Sequence, residues 1–288
     1  LNDVLLDKIF ARGNFKLDEK KEVAQGIVPN PDVINIRNIS KLPKSRVEKE
    51  NIQVGEGVFI VDRNYFNDLN SSELNYIKPI YEPYLIDKYL VDHYDKEIIY
   101  ITKNNFKDDA PTLISHLEKY KEIMDDRREN RKGTLNYNHL HWPRDDNFFK
   151  EGEKILSVRK CAHPTFAYTE KEAYVMMSFN VIRSNRIDIK YLTGLLNSKL
   201  IEFWLRNRGK MQGNNYQIDK SPLLELPLIK PDDNSQYEIS DLVSKIIYNK
   251  KQPPHTDTTA LESQIDQLVY QLYDLTAEEI EIIENATK

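Results

Sequence analysis

The sequence predicts an α+β fold: a mixed or antiparallel β-sheet with a few packed helices, followed by a small helical C-terminal module. Two patterns lead there. Short runs rich in β-branched and aromatic residues, such as Glu97-Ile98-Ile99-Tyr100-Ile101-Thr102, are interrupted by single helical stripes, without the alternation of a doubly wound sheet. From Asn234 onward the periodicity is helical throughout. With 40% hydrophobic residues and a mean hydropathy of −0.64, the 288-residue chain can fill a core and still face water. The expected divisions are 1–19, left over from a preceding module or linker; 20–230, the main domain; and 231–288, an acidic helical appendage.

In chain order, residues 2–15 are short and mixed, and 22–28 read as a strand broken by Pro29-Asn30-Pro31-Asp32. Residues 34–51 form a polar, basic connection. Gly55-Glu56-Gly57 turns into the strand Val58-Phe59-Ile60-Val61, and 69–76 form a short helix capped by Ser71 or Ser72. Pro111 starts a helix whose stripe is Leu113, Leu117, Tyr120, Ile123 and Met124; it ends in Arg127, Arg128, Arg131 and Lys132, cations that suit a helix C-terminus. Leu140 to Arg144 lie in a loop, and strands are expected at 154–159, 166–168 and 174–182.

The chain is organised around residues 187–228. Ile189, Leu192, Leu195, Leu196, Leu200, Phe203 and Trp204 recur at helical spacing, with Asp188 placed as cap and Gly209 just past the end. The basic loop of Arg206, Arg208, Lys210, Gln212, Asn214 and Asn215 follows, then a strand-like return. Helices are expected at 237–248, 259–273 and 277–283, the last with a Thr276/Glu279 capping box.

Charge is unevenly spread. Residues 231–288 carry 12 acidic and 4 basic side chains, leaving 37 basic and 34 acidic in 1–230 and turning the net −5 into a local +3 there. Residues 183–220 reach +5. A basic face beside an acidic tail is compatible with nucleic acid. No apolar run is long enough to span a bilayer and no signal peptide opens the chain, so no membrane partner is expected. Cys161 is the sole cysteine, which fits a reducing cytoplasm, and the Lys-, Asn-, Ile- and Tyr-rich composition fits an AT-rich bacterial genome. The opening Leu1, in place of Met, leads to the expectation of an excised fragment; removal during maturation is the alternative.

The catalytic motifs fail on context. Gly55-Glu56-Gly57 leads into a strand, whereas a dinucleotide or S-adenosylmethionine site needs a helix after its glycines. Asn30-Pro31-Asp32-Val33 lacks the second Pro and the aromatic of an amino-methyltransferase motif. His139/His141 and Cys161/His163 are spaced more tightly than common zinc ligands, and neither Pro31-Asp32 nor Pro231-Asp232 has the second acidic element of a nuclease. The expectation is no catalytic residue, no metal and no cofactor within this chain.

The segments "QGI" (25–27), "GEGVFIV" (55–61), "YIKPIYEP" (76–83), "IIYIT" (98–102), "LHWPR" (140–144), "KIL" (154–156), "YLTGLLNSKLIEFWL" (191–205) and "LLELPL" (223–228), in that order, resemble a TaqI-like specificity domain. This is the target-recognition region of adenine-specific DNA methyltransferases and of Type IIG restriction–modification enzymes. The tail at 261–284 is similar to their helical end. The resemblance implies a reader of double-stranded DNA. A separate methyltransferase module, with or without a nuclease, would bind S-adenosylmethionine, flip adenine and methylate it.

On that reading Arg127, Arg128, Arg131, Lys132, Arg206, Arg208 and Lys210 are candidates for phosphate contact. Gln212, Asn214 and Asn215 can pair bidentately with adenine, and an Arg with guanine. His141, Trp142 and Arg144 join them, since their loop gives the cation no evident core role. Each of these is also explained as a solvated surface side chain. The competing class is a protein-interaction module that docks a partner through its helical tail; a nuclease fragment comes third.

Overall fold

One six-stranded sheet divides the molecule into two hydrophobic cores. The computed structural model describes residues 2–254 and 256–288; Leu1, the start of the expected 1–19 remnant, lies outside them. The sheet runs in the order Val23–Gln25, Phe179–Ile182, Lys154–Val158, Phe166–Thr169, Tyr89–Val91, Ile86–Asp87. Its pairs are antiparallel except Tyr89–Val91 with Phe166–Thr169. The three central strands are buried along their whole length, because successive side chains alternate between the two cores. Ile155, Phe166, Tyr168 and Ile182 enter one; Leu156, Ala167, Phe179 and Val181 enter the other.

On the first side lie the helices Ile189–Leu196, Lys199–Arg208, Asp233–Lys251, Thr259–Leu272 and Ala277–Ala286. Gly194 lets two of them cross closely, since a Cβ there would sit 2.6 Å from Ile239. On the second side are the sheet Tyr174–Val175, Ile77–Tyr81, Lys96–Ile99, Ile60–Asp62 and the helices Pro111–Glu118 and Lys121–Asp125. Mixed sheets, short helices and a helical end make an α+β fold, as the sequence predicts.

The structure corrects several elements. Residues 2–15 contain the helix Asn2–Arg12, whose Leu5, Leu6 and Ile9 are buried in the first core. The 231–288 helices do not stand apart either. Ile239, Val243, Ile265 and Val269 pack in the same core as Leu192 and Leu195, and Tyr273 donates to the Pro227 carbonyl at 2.6 Å. Many of their acidic residues lie on outer faces, which is how an acidic composition hid a core stripe.

The organising helix is two helices, turned at Asn197 and recapped by Ser198 at Ile201 N–H, and Asp188 caps the first at Tyr191 N–H. The helix from Pro111 likewise breaks at Tyr120. The polar connection at 34–51 folds into Ile36–Ile39 and Lys44–Lys49, the former held by an Asn35/Asn38 capping box. Asn70, rather than Ser71 or Ser72, caps Ser71–Leu74. Residues 174–182 split between two sheets, and the loop after Gly209 is a hairpin of Met211–Gln212 and Asn215–Gln217.

Candidate nucleic-acid interface

Beyond the end of strand Val23–Gln25 the chain forms a narrow ribbon. Ile27 N–H donates to Val175 O (2.9 Å) and Met177 N–H to Ile27 O (3.1 Å), a parallel pairing. On the other side Val28 and Trp142 exchange both hydrogen bonds, at 3.1 and 3.0 Å. This register carries Trp142 and Met177 on either side of Val28, and they are 48% and 52% exposed. Gly26 makes the approach possible: a Cβ there would lie 1.9 Å from Met176 O. Two guanidinium groups fasten the ribbon's edges, Arg144 Nε to Gly26 O (3.0 Å) and Arg159 Nη1 to Met177 O (2.6 Å). A cleft of about 560 Å³ opens beside it, its wall including Asn30, Asp32, Arg37, Lys41, Asp126 and Met177.

The nominated residues fall into three groups. Arg128, Arg131, Lys132, His141, Trp142 and Arg144 do not line the cleft themselves but follow or contact residues of its wall and ribbon: Arg127, Asp126, Asn30, Val28 and Gly26. Arg128 and Lys132 are exposed, and Arg131 lies 3.7 Å from Asp126. His141 is held between Glu129 (2.7 Å) and Asn30 (3.0 Å), its ring centroid 4.9 Å from that of Trp142. The second group is the hairpin, which projects exposed Gln212 and Asn214 at its turn, with Lys210 and Asn215 on its arms.

Arg127, Arg206 and Arg208 form the third group, and the structure employs them internally. Arg127 is only 6% exposed; it donates to Asn130 Oδ1 (2.8 Å) and to the carbonyls of His139 (2.9 Å), Asn136 (3.1 Å) and Tyr137 (3.2 Å). Burial pushes its pKa down to about 10. It closes the loop at 136–139 and, through Nη1 to Asn30 O (3.3 Å), braces the wall of the cleft rather than standing free. Arg206 donates to Ala286 O at 2.6 Å, and Arg208 lies 3.4 Å from both Asp3 and Asp7. Basic residues at this helix end bind the first and last helices of the chain.

The hairpin and the cleft are joined by residues that the sequence reading passed over. Strand Asn215–Gln217 pairs with Lys160–Cys161, directly after Arg159. Asp219 Oδ1 accepts from Arg159 Nε (3.1 Å) and Nη2 (2.5 Å), while its Oδ2 accepts from Gln217 Nε2 (2.8 Å) and lies 3.4 Å from Lys210 Nζ. Burial pulls the Asp219 pKa upward, but hydrogen bonding and charge from Arg159 outweigh it and hold the carboxyl below its ordinary value. The available signal was Arg159-Lys160, two cations directly after the buried strand Lys154–Val158.

The histidines and Cys161 are otherwise engaged. Burial pushes the Cys161 thiol up to about 11, and His163 lies 3.4 Å from Glu202. Among the described residues no group of three or more His, Cys, Asp or Glu side chains is placed to hold a metal, and no helix is long and apolar enough to cross a membrane.

Part of this face lies in a segment that is similar to a known family of specificity domains. Residues 93–228, which include Trp142, Arg144, Arg159, Met177 and the hairpin, match the family model of the TaqI-like C-terminal specificity domain. The match covers just under half of the chain, 136 of its 288 residues, and over that stretch the chain is similar to a TaqI-like specificity domain. It is 23% identical over 206 residues to the Type II methyltransferase M.HincII of Haemophilus influenzae, covering 64% of this chain and 41% of that protein. Over 214 residues it is 23% identical to the Type II methyltransferase M.HindII of the same species, covering 64% and 39%. It therefore spans about two fifths of the length of these curated relatives. The solved Type IIL restriction–modification enzyme MmeI, in complex with DNA, shares the fold with a TM-score of 0.59 at 10% identity. That match covers 95% of this chain and 35% of MmeI.

Proposed function

We propose that this chain reads a specific double-stranded DNA sequence for an adenine-specific DNA methyltransferase of a bacterial restriction–modification system. A separate module of the same polypeptide, with or without a fused nuclease, would bind S-adenosylmethionine and methylate the flipped adenine in the cytoplasm. The reading surface lies within 20–230. The observation that supports this best is that the matched segment supplies the hairpin and the Trp142 and Met177 sides of the ribbon and cleft, with cations and amides along one path.

Arg37, Arg128, Arg131 and Lys132 beside the cleft supply phosphate contacts, which position the duplex without reading it. Gln212, Asn214 and Asn215 extend amides from a two-stranded ribbon, a shape that the major groove admits. Extruding the target base costs a few kcal/mol, so the reader must hold the duplex firmly while the catalytic module acts. The competing protein-docking reading is weakened because the apolar stripes of the tail are buried in the first core.

The test is binding of the 288-residue chain to a randomised duplex library across a salt series. Affinity should fall steeply with salt, and repeated selection should enrich one site. Binding that ignores salt, or enriches nothing, overturns the reading.

A further inference from the structure

Arg159 occupies the junction of the ribbon, the end of strand Lys154–Val158 and the hairpin. Its backbone carbonyl accepts from Ile218 N–H at 2.6 Å, fixing the position from which the side chain starts. Its side chain is 21% exposed and that of Asp219 23%, so the pair sits at the rim with one edge open. A guanidinium has five N–H donors. Nε and one N–H of Nη2 are held by Asp219 Oδ1, and one N–H of Nη1 by Met177 O. Two donors remain, one on each terminal nitrogen. Asp219 is itself anchored by Gln217 and Lys210, so the fork is set before any ligand arrives.

Two donors on neighbouring terminal nitrogens suit either a phosphate or the O6 and N7 acceptors of guanine in the major groove. The carboxylate decides between them. An Asp 2.5 Å from the guanidinium, shared with Lys210, offsets part of the charge that attracts an anion and repels a phosphate at the same spot. A neutral base edge with two acceptors carries no such penalty, and a fork already held loses little side-chain entropy on binding. We propose that Arg159, buttressed by Asp219, reads a guanine, so that the recognised DNA site contains a guanine at the position facing this residue. The inference rests on the DNA-reading function above and names one base of its ligand. Asp219 is the positioning residue and Arg159 the reading one.

The experiment uses the intact chain and the duplex enriched from the randomised library. Each guanine in turn is replaced by 7-deazaguanine, which lacks the N7 acceptor. At one position wild-type affinity should fall about ten-fold, and Arg159→Ala should be insensitive to that replacement. Asp219→Asn, which preserves shape, should keep or raise affinity for unrelated duplexes while losing discrimination at the same base pair. If no 7-deazaguanine weakens wild-type binding, or if Arg159→Ala weakens every duplex equally, the guanine assignment falls while the DNA-reading function stands. A wild-type chain that binds no duplex in a salt-dependent way overturns both.

Discussion

Asn197 and Phe166 are joined reciprocally: the Asn197 carbonyl oxygen accepts from Phe166 N–H at 3.1 Å, and its amide donates to Phe166 O at 2.7 Å. The bend between Ile189–Leu196 and Lys199–Arg208 is thereby clipped to a central strand. Both partners are buried, so Asn197→Ala leaves a backbone donor and acceptor unpaired away from water. The expected loss is about 1–3 kcal/mol, read as a lower urea midpoint with an unchanged slope.

Asp266 gives stability an unusual pH dependence. It accepts from Lys199 N–H at 2.9 Å, but burial raises its pKa from 3.8 to about 6, with Lys199, Lys88 and Glu284 as charged neighbours. Between those values the folded chain holds a proton that the unfolded chain has released. The contribution of this group is therefore most favourable below about pH 4, declines as pH rises to about 6, and is flat above. Asp266→Asn should stabilise the protein by up to roughly 3 kcal/mol at pH 7, and the gain should vanish near pH 4. Thermal unfolding of both proteins across this range checks it; a constant difference would remove Asp266 as the cause.

Arg127→Ala should lower stability on the order of 3 kcal/mol, because several inward-facing carbonyls lose their donor. Arg127→Lys should not restore it, since one ammonium cannot span acceptors served by three guanidinium nitrogens. The salt slope of DNA binding, measured where the variant is folded, should stay at the wild-type value.

The double variant Arg206→Ala/Arg208→Ala separates fold from function differently. These cations hold Ala286 O, Asp3 and Asp7, in exposed contacts worth less than about 1 kcal/mol each. The change should lower the melting temperature by a few degrees and leave affinity for every duplex unaltered. A uniform loss of affinity would return the pair to the phosphate-contacting set.

Much of this fold was legible because burial leaves a period. The stripe Leu113, Leu117, Tyr120, Ile123 and Met124 is entirely buried, and the Thr276/Glu279 box forms with bonds of 2.8 and 3.3 Å. What stayed hidden is long-range. Nothing near Arg206 or Arg208 in the sequence announces residues 3, 7 and 286, so a helix-end cluster and a DNA-facing cluster look alike. Arg159 and Asp219 are 60 positions apart and meaningful only as a pair. Trp142 and Arg144 were nominated because a large aromatic and a cation in a Pro-bounded loop lack a local structural reason; the structure leaves Trp142 half-exposed and gives Arg144 a distant one, the Gly26 carbonyl.

Trp142 provides an internal probe of the ribbon. The chain has two tryptophans, and their surroundings differ: Trp204 is 7% exposed and stacks on Phe10, whereas Trp142 is 48% exposed beside Val28. In the free protein acrylamide should quench chiefly Trp142, and Trp142→Phe should remove most of the quenchable emission. If the ribbon lies against the duplex, bound DNA will shield the indole and quenching of the wild type will fall to near that of Trp142→Phe. Trp142→Ala should also weaken binding, since a base or sugar face against the ring contributes about 1–3 kcal/mol when it stacks. Unchanged quenching in a complex that still depends on salt would place the duplex on the hairpin alone and remove the ribbon from the interface.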